Sequence, residues 1–472
     1  MATTVEPDEV DVVVLGMGPG GESVAGDLAA AGLDVVGVES RLVGGECPYF
    51  GCVPSKMMIR AGNVVAEALR IPDLAGSVEV TPDFSKVASR IRSEATDNWD
   101  DAVAAKRFTD KGGRLVRGTG RLTGAREVCV SMPDGGERTF RARRAVVLNP
   151  GTNPAVPDVA GLAETPFWTN REALQTEVAP KSLIIWGGGP IAVELAQAFT
   201  RFGTKVTMVL RGSSLLSREE PEAADLLAKV FRSEGIKILN NRDITAVAHS
   251  DGIFKVQLAA SSRTAPGAGV SELSAENFLV ATGRTPQLAT LELAAANIDW
   301  DGKHAPSFDE HMQLTDGLYL IGDAAGAGAF THMSMYQANI VTGHILGEDR
   351  GSAESHAVPH VTFTDPEIGA VGLSENQARE AGLTIRVGYS EISASARGWI
   401  HKSGNQGFIK VIEDTQAGVL VGATSAGPTG GEVLSLLALA VHARIRVTEL
   451  KTMIYAYPTF HRAIPEALAD LK

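Results

Sequence analysis

Cys47 and Cys52 stand in the run Gly44-Gly45-Glu46-Cys47-Pro48-Tyr49-Phe50-Gly51-Cys52-Val53-Pro54-Ser55-Lys56 and are two of only three cysteines in 472 residues. Two thiols so close, set where a turn should feed a helix, can close a disulfide and reopen it, and each cycle moves two electrons. Such exchange needs a thiolate at neutral pH, so the surroundings must lower a cysteine pKa. A helix N-terminus, Lys56 and a nearby base are the means this stretch offers. The third thiol, Cys129, lies in the strand-like stretch Glu127 to Met132 and reads as a buried structural residue.

Electrons must reach this pair from a carrier, and the elements around it point to nucleotides. Asp11 to Leu15 is a short apolar strand, followed by Gly16-Met17-Gly18-Pro19-Gly20-Gly21 and an alanine-rich helix to about Ala31, closed by Gly32. Val35 to Val38 makes the next strand and finishes on Glu39. Strand, glycine turn, helix and strand in that order form a dinucleotide-binding unit. Gly16, Gly18 and Gly21 permit a tight turn and close approach of backbone N–H groups to a pyrophosphate at a helix N-terminus. Glu39, 23 residues after Gly16, is placed to accept hydrogen bonds from a ribose.

The unit recurs. Ser182 to Trp186 is a strand, Gly187-Gly188-Gly189-Pro190-Ile191-Ala192 the turn, Val193 to Phe202 a helix closed by Gly203, and Lys205 to Leu210 a strand. Two such units argue for two dinucleotides and an electron relay. At the place matching Glu39 the second unit has Leu210, with Arg211 next and Arg218 seven residues beyond that. Without an acid there is no acceptor for a bare 2′-hydroxyl and no repulsion of a 2′-phosphate, which guanidinium groups bind in a fork geometry. NADPH is therefore expected rather than NADH.

Residues from about Val64 to Asp110 predict long amphipathic helices, and Gly113 to Val147 short strands turning at Gly124 and Asp134-Gly135-Gly136. Ile244 to Val256 predicts a hairpin turning at Ser250-Asp251-Gly252, and Arg263 to Val270 a loose loop. A strand ends in Ala281-Thr282-Gly283-Arg284, and Gly317 to Ile321 is another, ending at Gly322-Asp323. The last segment opens with strands, and Ser374-Glu375-Asn376-Gln377 is a capping box starting a helix. The length predicts about three domains. A net charge of −13 argues against nucleic acid or anionic membrane as partner. No apolar run is long enough to span a bilayer, and the acidic first residues lack the order of a secretory signal. Cytosol is the expected compartment, where a disulfide is transient and catalytic. No metal site is expected.

On these motifs the chain closely resembles the pyridine nucleotide–disulfide oxidoreductases, the flavoprotein family of glutathione reductase, dihydrolipoamide dehydrogenase and mercuric reductase. The resemblance includes both glycine turns, the Gly-Gly-x-Cys-x4-Cys-Val-Pro-Ser-Lys stretch, Ala281-Thr282-Gly283-Arg284, Gly322-Asp323 and Thr364-Asp365-Pro366. It implies an α/β fold with two Rossmann-like domains and a C-terminal α+β dimerisation domain. An FAD domain split over 1–150 and 281–350, an NAD(P)H domain over 151–280 and an interface domain over 351–472 follow, in a homodimer whose active sites need both subunits. Cys47 would be the outer, substrate-exchanging sulfur and Cys52 the inner one beside the flavin, forming the charge-transfer thiolate. Lys56 and Glu194 match the ion pair beside flavin N5, where a cation stabilises developing charge. Asp323 matches the acid that binds the ribityl chain, and Gly45, Gly151, Gly283, Arg284 and Gly322 fall on cofactor-lining positions. Ala192, in the third glycine position, resembles the NADPH-using members.

The chain also departs from the family. Tyr457-Pro458-Thr459-Phe460-His461-Arg462 stands where most members have His-Pro-Thr-x-x-Glu, so Tyr457 replaces the base and Arg462 its orienting carboxylate. A tyrosine is a poor base at neutral pH, with an unperturbed pKa of about 10, but can donate a proton. His461 either replaces the base or pairs with Glu466. Mercuric reductase resembles this chain in its tyrosine but adds a C-terminal cysteine pair, and no cysteine follows Cys129 here. Asn149-Pro150-Gly151 replaces Ala-Thr-Gly, and His332 is expected to pack near the flavin. The expected activity is transfer of electrons from NADPH through FAD and the Cys47–Cys52 disulfide to a disulfide-type acceptor. The alternatives are a quinone or metal-ion reductase, a dihydrolipoamide dehydrogenase-like complex component, and a flavin binder without catalysis.

Overall fold

Val10 and Val12 to Leu15 are buried because the strand they form, Asp8–Leu15, lies inside an eight-stranded sheet. Parallel neighbours Glu137–Leu148 and Val35–Glu39 flank it, with Val12 opposite Val35 and Leu15 opposite Leu148. Parallel strands covered on both faces read as continuous rather than alternating apolar runs, as this one does. Arg114–Arg117 and Leu318–Leu320 extend the sheet in parallel, and Thr119–Gly124 and Glu127–Ser131 join through an antiparallel meander. The computed structural model describes residues 6–260, 271–326 and 328–472 and divides the chain into two units. The first comprises Met1–Pro54, Arg92–Asn153 and Arg284–Ser355, and this sheet is its core.

The second unit comprises Ser55–Ile91, Pro154–Gly283 and His356–Lys472. It contains a four-stranded parallel sheet ordered Lys237–Leu239, Lys205–Val209, Ser182–Trp186 and Asn277–Val280. A three-stranded antiparallel sheet follows, Arg242–Ser250, Ile253–Ala260 and Ser271–Ala275. The C-terminal segment builds a five-stranded antiparallel sheet covered by the helices Gly430–His442 and Ala463–Ala469. Sheets with helices throughout give the mixed α/β class expected.

The predicted hairpin is present and longer than expected, turning through Asp251 at φ +52° and Gly252 at φ +74°. Ser374 caps Glu375–Glu380 in the predicted capping box. The long helices predicted over Val64 to Asp110 are not formed. The helix Cys52–Leu69 gives way to Ile71–Leu74, Phe84–Arg90 and Ala102–Asp110, with short irregular turns between the last two. Pro72, Gly76 and Pro82 interrupt the apolar period where it was read as continuous. Glu137–Leu148 is one long strand rather than a short one, since its second half belongs to the parallel sheet. The loop predicted over Arg263 to Val270 lies outside the described residues.

Candidate active site

Cys47 lies in the short helix Glu46–Phe50, and Cys52 opens the helix Cys52–Leu69. Both are thiols rather than a disulfide. They are hydrogen-bonded to each other, and the Thr331 hydroxyl lies 3.4 Å from the Cys52 sulfur. Thr331 is the first residue of the helix Thr331–Leu346. The hydrogen bond to Cys52 and then burial push the Cys47 thiol up, with the Thr331 hydroxyl acting in the opposite direction. The indole of Trp99 donates to the Tyr49 carbonyl at 3.2 Å, pinning the segment between the two sulfurs.

This turn rests on the first glycine turn. A Cβ on Gly45 would stand 2.9 Å from Gly18 Cα, so glycine lets the two backbones meet. Gly16 has φ +93°, and its Cβ would fall 2.2 Å from the Asn149 carbonyl oxygen. Glu39 is buried, and its two oxygens accept from the N–H groups of Met17 and Arg41, each at 2.8 Å. Burial raises its pKa against those bonds. Asn149 donates to the Gly16 carbonyl at 3.1 Å and accepts from Ser334 at 3.5 Å. Gln337 accepts from the Gly322 N–H at 2.8 Å. Arg284 Nε donates to the Thr152 hydroxyl at 2.6 Å, which donates to Asp323 at 3.1 Å. Burial raises the pKa of Asp323, with Thr152 and then Arg284 opposing it. Around Gly151 a Cβ would meet nothing within 4 Å. Glycine backbone, a helix N-terminus and a buried carboxylate make a cradle that fits FAD.

In the second unit Lys56 Nζ lies 2.8 Å from Glu194 Oε2, and the carboxylate is almost fully buried. The other oxygen, Glu194 Oε1, accepts from the Phe363 N–H at 2.9 Å, and the Phe363 ring lies 4.7 Å from the Lys56 ammonium. Phe363 therefore holds both partners, one through its backbone and one through its ring. The second glycine turn repeats the logic of the first. A Cβ on Gly187 would meet the Ala281 carbonyl at 2.2 Å, whereas Gly189 opens onto space with nothing within 4 Å. Leu210 is buried, and Arg211 and Arg218 are exposed.

Tyr457 is 71% exposed. His461 makes no side-chain bond with Glu466, so the pairing alternative is not formed. Beside it the Phe460 ring is flanked by His401 at 5.6 Å and Arg397 at 5.4 Å, and burial holds His401 below the usual imidazole pKa. His332 is exposed and stacks on Phe330 at 5.2 Å. Cys129 is buried in the strand Glu127–Ser131. Sequence reasoning missed Thr331, Thr152 and Phe363, because each acts across a long sequence separation and none carries a motif.

Two family models match the chain. Pyridine nucleotide-disulphide oxidoreductase covers residues 10–338, and the dimerisation domain of the same family covers 358–468. The mercuric reductase of Acidithiobacillus ferrooxidans is 32% identical over 97% of this chain and 82% of its own length. The dihydrolipoyl dehydrogenase of Haloferax volcanii is 29% identical over 97% of this chain and 95% of its own. Among solved structures, the Cu(II) complex of the HOCl-induced flavoprotein disulfide reductase RclA from Escherichia coli superposes with a TM-score of 0.83 at 25% identity, covering 98% of this chain and 99% of that one. No helix among the described residues is long and apolar enough to cross a membrane.

Proposed function

The chain belongs to the pyridine nucleotide-disulphide oxidoreductase family, and we propose that it draws electrons from NADPH and reduces a disulfide-type acceptor at Cys47 and Cys52. The observation that carries this reading is the pair of mutually hydrogen-bonded thiols with the Thr331 hydroxyl against one of them. Gly16, Gly18, Gly21, Glu39, Gly45, Gly151, Arg284, Gly322 and Asp323 would hold FAD. Gly187, Gly189, Gly283, Arg211 and Arg218 would hold NADPH. FAD supplies acceptance of hydride and return of an electron pair to the cysteines. Lys56, held beside Glu194 and Phe363, presents a cation where negative charge develops.

Cys47, as thiolate, attacks one sulfur of the acceptor disulfide, releasing the other half as a thiolate. Cys52 then attacks Cys47 in the mixed disulfide, releasing the second half and closing the Cys47–Cys52 bond. Tyr457 serves as proton donor to a leaving thiolate. The domain division is 1–150 with 281–350 for FAD, 151–280 for NADPH and 351–472 for the interface, in a homodimer with shared active sites. Three cysteines in 472 residues fit the reducing cytosol.

Anaerobic titration with NADPH should bleach the bound flavin and raise a long-wavelength band. Turnover of a disulfide panel should then vanish in Cys47→Ser. Disulfide turnover that survives this substitution would sink the reading. A metal-ion or quinone reductase is the second reading. It is favoured by the likeness to mercuric reductase and to RclA solved with Cu(II), and by Tyr457. It predicts quinone or metal-ion reduction that persists in Cys47→Ser.

A further inference from the structure

Leu210 is tied to a segment that the glycine motif does not contain. Its N–H donates to the Leu239 carbonyl at 2.9 Å, and its own carbonyl accepts from the Arg242 N–H at 2.9 Å. Asn241 N–H donates to the Gly212 carbonyl at 3.0 Å, and Asn240 Nδ2 to the Ser213 carbonyl at 2.7 Å. Leu216 N–H donates to the Gly188 carbonyl at 2.8 Å, which folds the loop after Leu210 back onto the glycine turn. Arg242 is thus one backbone hydrogen bond from the residue whose type decides between a bare and a phosphorylated ribose.

Two buried polar atoms in this segment have no hydrogen-bond partner among the described residues, Arg242 Nη1 and Asn240 Oδ1. A buried guanidinium nitrogen without an acceptor is costly to keep, unless a ligand supplies the acceptor. The acids of the neighbouring loop do not supply one: they pair with other cations, and Glu222 Oε2 is itself buried without a partner among the described residues. Glu219 meets His360 at 2.9 Å, while Glu220 and Glu222 each meet the buried Lys410 at 2.8 Å. Lys410 also takes Glu375 at 3.0 Å. Arg211 and Arg218 make no hydrogen bond or ion pair among the described residues. Among the described residues, the guanidinium groups of Arg211, Arg218 and Arg242 are therefore left without a carboxylate, on the segments that follow the second nucleotide unit's strands.

We propose that Arg242 is a specificity-determining residue that binds the phosphate monoester on the adenosine 2′-oxygen, together with Arg211 and Arg218. The inference rests on the NADPH reading and adds to it a half-buried arginine from outside the motif, one of whose guanidinium nitrogens is buried. The Lys410 cluster contributes by withdrawing the acids that would otherwise neutralise the pocket. Bidentate, desolvated guanidinium contacts to phosphate are stronger than exposed ones, so Arg242 should carry more of the discrimination than Arg211 or Arg218.

The test is binding of 2′,5′-ADP and of 5′-AMP to the full-length, FAD-loaded protein, followed by calorimetry. Wild type should bind 2′,5′-ADP the more tightly. Arg242→Met should weaken 2′,5′-ADP by about tenfold or more, a change of about 1.4 kcal/mol, and leave 5′-AMP within about twofold. Arg242→Gln, which keeps the stem and an amide donor, should show the same split and serves if the Met variant does not fold. Equal loss for both ligands, or none, in the folded variant overturns the role of Arg242. A wild type that does not discriminate the two ligands overturns the NADPH reading itself. Discrimination lost in Arg211→Met/Arg218→Met but kept in Arg242→Met would leave NADPH standing and remove Arg242.

Discussion

At the scale of single residues, the proton on Cys47 governs the chemistry. Its pKa is raised by the hydrogen bond to Cys52 and by burial, so the thiolate that attacks substrate is scarce at neutral pH. A raised thiol pKa means that the reactive form grows as pH rises. Disulfide turnover should therefore climb steadily through the alkaline range, while flavin bleaching by NADPH stays nearly flat. A turnover profile that is flat from neutral pH upward would contradict this. Thr331 tests the other sulfur. Thr331→Val keeps the shape and removes the hydroxyl 3.4 Å from Cys52, and one such bond contributes about 1 kcal/mol. Alkylation of the reduced pair by iodoacetamide should shift its pH midpoint upward, and an unchanged midpoint would show the contact to be incidental.

At the scale of elements, the glycine turns separate backbone need from ligand need. Gly16→Ala places a Cβ 2.2 Å from a carbonyl oxygen in a backbone with φ +93°, so it should destabilise the protein by about 2 kcal/mol or more and release FAD. Gly189→Ala meets nothing within 4 Å, and Gly189 has φ −80°, which alanine adopts freely. That variant should melt like wild type yet bind NADPH about tenfold more weakly, since only the ligand's pyrophosphate is crowded. Calorimetric melting and nucleotide titration distinguish the two, and a destabilised Gly189→Ala would contradict the division.

At the scale of the whole molecule, the C-terminal segment presents apolar side chains to solvent. Trp399 is 77% exposed and Ile454 94%, in the region matched by the family's dimerisation domain. Large apolar side chains left in water at such a domain mark an interface with a second copy. Trp399→Glu with Ile454→Glu should move the mass by light scattering from dimer to monomer. If the active sites are shared, the monomer should still bleach with NADPH but lose acceptor turnover. A dimer that persists, or a monomer with full turnover, would overturn the arrangement.

Much of this protein is written in local pattern. Two strand–glycine–helix units, two cysteines and a capping box each depend on residues within a few positions of one another, and local sterics decide them. The Lys56–Glu194 pair spans 138 residues and was legible only through resemblance to a family. Packing decided the rest, bringing Thr331 to Cys52, Phe363 to Glu194, Asn149 to Gly16 and Arg242 to Leu210. No spacing rule relates those partners, because a hydrogen bond constrains distance in space and leaves distance along the chain open.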